Sequence, residues 1–132
     1  MLPAVPRTAL FLFTAALAFA QSHDLAVKSQ KAKEYMGDGR FADAVPIYEE
    51  LVKALPANPG LHLNLALALQ MSGRLTDAVP EFQRVLKADP ANLPALLSLG
   101  ATYLSLNEPA KAIPYLEKAL TLQPADPNPR GM

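Results

Sequence analysis

Catalysis and metal binding need convergent polar side chains, and this sequence offers few of them. Only two histidines are present, His23 beside Asp24 and the separate His62. A metal centre needs several ligands, and a catalytic triad needs a nucleophile, a base and a group to orient it. Neither histidine has such company nearby in the sequence. Cysteine is absent, which removes disulfides, thiolate ligands, thiol nucleophiles and a lipid-modified N-terminal cysteine together. Glu49 and Glu50 are the kind of paired carboxylates that acid-base chemistry uses. On a helix, however, adjacent residues point about 100° apart, so a solvated amphipathic face accounts for them. The serines lie outside any nucleophile-elbow or phosphate-loop context. The expectation is therefore of no catalytic group, no metal and no cofactor, with His23 solvated near the N-terminus.

Composition narrows the partners. The 132 residues are 51% hydrophobic and 18% charged, which suits a single globular unit of modest size. Lys plus Arg equals Asp plus Glu at 12 each. That balance lacks the basic excess that nucleic acid or an anionic membrane surface attracts, so the expected partner is a protein or peptide and not a nucleic acid.

The first twenty residues read as an address. Met1 to Arg7 carries the terminal amine and one arginine, Ala9 to Ala20 is apolar apart from Thr14, and Ala18-Phe19-Ala20 places small residues at both cleavage positions. That is the layout of a secretory signal peptide. As a helix the apolar run rises about 18 Å, short of the roughly 30 Å hydrocarbon core, which disfavours a spanning helix. The expected mature chain starts at Gln21 and is exported, to the periplasm or the medium. Membrane contact is expected only if residues 1–20 are left uncleaved.

Beyond this segment the chain repeats itself. At an offset of 34 residues Ala44 aligns with Ala78 and Ala112, Pro46 with Pro80 and Pro114, and Pro56 with Pro90 and Pro124. Repeats of this length are a signature of stacked architectures. In this phase the units run over 25–58, 59–92 and 93–126, leaving a disordered tail at 127–132. Within the second unit Leu61, Leu65, Ala68 and Leu69 recur at helical spacing, Gly73 interrupts, and Ala78, Phe82, Val85 and Leu86 resume. Each unit is thus two amphipathic helices joined at Gly39, Gly73 or Asn107, the residue types that tolerate left-handed backbone best. Pro56, Pro90 and Pro124 close the second helices. Pro46, Pro80 and Pro114 fall inside the start of those helices and predict a late start or an open first turn. Small residues at Ala32, Ala66, Gly100, Ala44, Ala78 and Ala112 allow close approach of helix axes.

These positions resemble the tetratricopeptide repeat family. The third unit supplies Leu96, Leu99, Gly100, Tyr103, Ala112, Leu116, Ala119 and Pro124 of its pattern, and the second Leu65, Ala66, Leu69, Ala78, Phe82, Val85 and Pro90. The first departs in its opening helix, with Lys28, Lys31 and Ala32 before Tyr35, but keeps Ala44, Tyr48, Leu51 and Pro56. The resemblance implies an all-α fold, a right-handed superhelical solenoid of three helix-turn-helix units. It also places His62 at a packing position of the pattern.

The resemblance further implies that the first helices line a concave groove that docks a polypeptide segment. The family's groove positions fall on Ser29, Gln30 and Lys33, on Leu63, Asn64, Leu67, Gln70 and Met71, and on Leu97, Ser98, Ala101, Leu104 and Ser105. Of these, Lys33, Asn64, Leu67, Gln70, Met71, Ser98 and Ala101 are the leading groove candidates. Family members that clamp a C-terminal carboxylate use two lysines, an arginine and two asparagines. Here only Asn64 matches, with Ser29, Lys33, Pro94 and Ser98 at the other places, so an apolar or amphipathic segment is the expected occupant. Leu63, Leu67, Leu97 and Leu104 fit a core role as well as a groove role. A second reading is a self-associating structural component, or a truncated scaffold, using an uncapped last repeat. The proline-rich sequence after Pro124 cannot form a capping helix, and Leu116 and Leu120 would then form the interface of a homo-oligomer.

Overall fold

The computed structural model describes residues 3–123, so Met1, Leu2, Pro124 and the tail at 127–132 lie outside the described residues. Six helices follow one another: α1 (Arg7–Gly37), α2 (Phe41–Ala54), α3 (Pro59–Met71), α4 (Leu75–Ala88), α5 (Leu93–Ser105) and α6 (Pro109–Leu122). No strand occurs among the described residues. Each helix packs on the next in the chain, and α3 also touches α5. The result is an all-α helical solenoid in which helices stack in chain order.

The turns within the helix pairs are alike because their chemistry is alike. Gly39 (φ 74°), Gly73 (φ 85°) and Asn107 (φ 58°) all adopt left-handed backbone, as their spacing and types predict. Each lets the next amide reach back: Arg40 N donates to Tyr35 O, Arg74 N to Leu69 O and Glu108 N to Tyr103 O, each at 2.8 Å. This bond closes the end of the first helix and satisfies a carbonyl that would otherwise be orphaned. The third and fifth helices are started by Asn58 and Asn92, whose side-chain oxygens accept from Leu61 N at 3.2 Å and Ala95 N at 3.0 Å. A proline in the first turn of each, Pro59 or Pro94, gives up a donor the helix does not use there.

The core is a continuous line of buried side chains. Ala32, Ala44, Ala66, Ala78 and Ala112 are fully buried, and Tyr48, Leu51, Phe82, Val85, Leu96 and Leu99 fill the space between helix axes. At Gly100 the neighbouring helix comes so close that an added Cβ would meet Leu116.

Two expectations need correction. The prolines do not delay the second helices: α2, α4 and α6 start five residues before Pro46, Pro80 and Pro114. Ala44 N donates to Arg40 O at 3.3 Å, Ala78 N to Arg74 O at 3.1 Å and Ala112 N to Glu108 O at 3.3 Å, so the first turn is made. A proline this far in removes only the bond to the carbonyl four residues back. Those residues, Ala42, Thr76 and Ala110, are exposed, so water can replace the lost donor.

The second correction concerns the length argument against a spanning helix. The helix is not limited to the apolar run: residues 7–20 continue without interruption into the first helix of the repeats, making α1 31 residues long. Nothing between Arg7 and Met36 is glycine or proline, so no residue type stops the helix. At 1.5 Å per residue α1 is about 46 Å long. By length and composition it is able to cross a membrane, a test that signal sequences pass as well, and its most apolar window is wholly unburied. Only the part from Leu25 onward joins the core, through Leu25, Ala32, Tyr35 and Met36.

Candidate interaction surface

The face shared by α3 and α5 is pinned by one side chain. Gln70 donates from Nε2 to Ser98 O at 3.1 Å and to Thr102 Oγ1 at 3.0 Å, while Thr102 Oγ1 itself donates to Ser98 O at 2.7 Å. Gln70 therefore holds the two helices together, and its amide protons are committed. Ser98 contributes its carbonyl to the same network.

Around this pin the candidates separate by burial. Leu63 and Leu67 are half-buried and pack on the core, Asn64 is half-buried, and Lys33 and Ala101 are exposed. Met71 is 55% exposed, Leu97 40% and Leu104 51%. The four leucines that fit either role from sequence thus divide: Leu63 and Leu67 belong mainly to the core, Leu97 and Leu104 to the surface. Among the groove candidates, Met71, Leu97, Ala101 and Leu104 are the exposed apolar ones, Lys33 on α1 is the charged one, and Asn64 and Ser98 are polar and half-buried.

The end-face pair also separates. Leu120 is 69% exposed, but Leu116 is half-buried and leans on Gly100. Leu116 therefore does not lie bare on the surface as the self-association reading requires. Ile113, 50% exposed, is the residue that accompanies Leu120 there. It was legible from the repeat, since it stands 34 residues after the buried-side Val79.

His62 has partners that its neighbourhood in the sequence does not show. Its Nδ1 lies 2.7 Å from Glu81 Oε2 and its Nε2 2.8 Å from Pro56 O, and Arg84 bonds to the other carboxylate oxygen of Glu81. His62 and Glu81 are each only 8% exposed. Both ring nitrogens are engaged, so neither is open to a ligand, and the group ties the α2–α3 connection to α4. This is a structural bridge. Among the described residues no three His, Cys, Asp or Glu side chains converge as metal ligands would.

Among the described residues four groups titrate away from their ordinary values, all upward. Lys28 is raised by its hydrogen bond to Asp24, then by Glu50, and Lys111 by its bond to Glu108. Burial raises the phenols of Tyr48 and Tyr103. None of these lies on the apolar face described above.

Comparison with known proteins agrees with this architecture. The family model described as Tetratricopeptide repeat matches twice, over residues 29–92 and 63–127. Comparison with curated proteins returns no match. Among solved structures, a MamA point mutant aligns with TM-score 0.74 and 22% identity over 77% of this chain and 74% of that one. MamA from AMB-1 gives TM-score 0.72 and 23% identity, covering 88% of this chain and 68% of that one. Another MamA mutant is spanned over only 57% of its length. The TPR2B domain of yeast Sti1, in its complex with pHsp70, gives TM-score 0.69 and 23% identity over 74% of this chain and 78% of that one. At these identities the likeness is one of fold.

Proposed function

The chain belongs to the tetratricopeptide repeat family, and from that premise we propose that it is an exported, non-catalytic module that holds a segment of another polypeptide on the face of α3 and α5. The observation that carries this reading is the exposure of Met71, Leu97 and Leu104, three large apolar side chains at 55%, 40% and 51% exposure on two helices that touch, α3 and α5. Large apolar residues gathered on one face mark interaction surfaces, and an amphipathic segment laid in a helical groove is a recurrent way to use one. The Gln70 network supports the reading, because it fixes the spacing of the two helices before any partner arrives and so lowers the ordering cost of binding. The Sti1 domain, similar in fold, is found in complex with pHsp70. A carboxylate clamp is not part of the proposal, since Asn64 alone has the required type.

Export rests on residues 1–20. The apolar half of α1 has no packing partner in the fold: Leu10, Phe11, Leu12, Phe13, Leu17 and Phe19 are all more than half exposed. Removal after Ala20 takes away that surface and leaves every core residue in place.

The test is peptide selection against the purified chain from Gln21 onward. Selected peptides are expected to bind the wild type and to lose binding to Leu97→Glu with Leu104→Lys. Peptides that bind both chains equally would refute the groove. The export half is tested separately by reading the N-terminus of the exported protein: Gln21 is expected, and a membrane-held chain starting at Met1 would refute it.

A further inference from the structure

The repeat register shows what the outer side of α6 is shaped to receive. In α2 the residues Val45, Tyr48 and Val52, and 34 residues later Val79, Phe82 and Leu86 of α4, belong to the core or pack against it, and α2 packs on α3 as α4 packs on α5. Val45 and Tyr48 are each 2% exposed and Phe82 is fully buried. The same register in α6 holds Ile113, Leu116 and Leu120. Here Ile113 is 50% and Leu120 69% exposed, and among the described residues no helix lies over them. The surface continues, in residue type and spacing, an interface the chain has already made twice.

The covering helices define the occupant. α3 presents Leu61, Leu65 and Ala68 at this register, and α5 presents Ala95, Leu99 and Thr102, all buried. These are small or medium residues at i, i+4 and i+7, which form one face of a helix. The equivalent face of α1 reads Val27, Lys31 and Glu34, with Lys31 and Glu34 exposed. Stacking one copy head to tail on another would press an ammonium and a carboxylate onto Ile113, Leu116 and Leu120, and burying unpaired charge is unfavourable. Two copies meeting α6 to α6 would bring Glu117, between Ile113 and Leu120 on the helix, near its own counterpart.

We infer that the outer side of α6 is a second docking surface, independent of the groove, and that it receives an amphipathic helix of another polypeptide. That helix carries small or medium residues, mainly apolar, at i, i+4 and i+7, as α5 carries Ala95, Leu99 and Thr102. Leu116, held half-buried against Gly100, forms the floor of the site, and Ile113 and Leu120 form its two ends.

The probe is a dye-labelled peptide of residues 92–106, which carries the α5 face, titrated into the full chain and followed by fluorescence anisotropy. A second peptide, with Leu99 and Thr102 replaced by Lys, is the control. Saturable binding of the first alone is expected. Ile113→Glu with Leu120→Lys should weaken it by at least about tenfold, a change of about 1.4 kcal/mol. Leu97→Glu with Leu104→Lys should leave it unchanged, which separates this site from the groove. Both substituted pairs are at exposed positions, and unchanged thermal melting curves will show that the variants fold. No binding to the folded wild type, or binding indifferent to Ile113 and Leu120, overturns the inference. So does a concentration-dependent dimer in sedimentation that the α6 variant abolishes, since a second copy is then the occupant. Binding that appears only after deletion of residues 124–132 overturns it too, because the chain's own tail is then the cover.

Discussion

A Cβ placed on Gly100 would lie 2.4 Å from Cδ2 of Leu116 and 2.6 Å from its Cγ. The two residues belong to paired helices, α5 and α6, and the missing side chain of one is the space occupied by the other. Neither residue can change without the other being disturbed.

The first prediction follows from that contact. Gly100→Ala gains up to about 1 kcal/mol of helix propensity but forces Leu116 outward, and overpacking costs about 1 to 3 kcal/mol. Net destabilisation is expected in urea unfolding. Leu116→Ala also destabilises, by opening a cavity. The double variant should be more stable than the sum of the two predicts, because the Ala at position 100 then fills space that Leu116 vacated. Additive effects would mean that the contact does not hold the pair together.

A second prediction concerns His62 and Glu81. At the repeat register of Glu81 stand Ile47 and Tyr115, and at that of His62 stand Lys28 and Leu96. Glu81→Ile alone leaves Nδ1 of His62 without its partner and should cost about 1 to 3 kcal/mol. Adding His62→Leu removes the orphaned ring and should restore stability to at least the wild-type value, as apolar replacements of buried ion pairs commonly do. A double variant no more stable than Glu81→Ile would contradict this.

Alkaline pH should weaken the fold in a window set by the buried phenols. Tyr48 keeps its proton to higher pH in the folded chain than the ordinary value of 10.0 because burial disfavours the phenolate. Above pH 10 the unfolded chain therefore binds fewer protons, and stability falls as pH rises through the raised folded value. Tyr103 contributes in the same direction. Tyr48→Phe should match the wild type below pH 10 and lose less stability above it. Identical alkaline curves would contradict the burial argument.

Much of this was legible in the sequence because a repeat reports each structural rule three times. Gly39, Gly73 and Asn107 share one conformation since the same turn must close each helix pair, and the alanines mark close helix approach in each copy. What was not legible arises where one copy departs from the others. The His62–Glu81 contact joins residues 19 apart, invisible to helical periodicity, although a carboxylate in the place of Ile47 and Tyr115 signals that a buried charge needs a partner. The place of Leu116 depended on depth: periodicity puts Ile113, Leu116 and Leu120 on one side of α6, but only coordinates show Leu116 leaning on Gly100. The length of α1 was missed because the apolar run was measured by itself, while the backbone responds only to residues that stop a helix.

The central claim is that a polypeptide lies across α3 and α5, and site-specific photo-crosslinking in the native host tests it most directly. A benzophenone side chain is placed at Leu104 in one chain and at Glu50, on the exposed side of α2, in another. The account predicts that irradiation traps a discrete polypeptide adduct from Leu104, that Leu97→Glu diminishes it, and that Glu50 gives none. Equal adducts from both positions, or none from Leu104 in a folded and correctly localised chain, would contradict it.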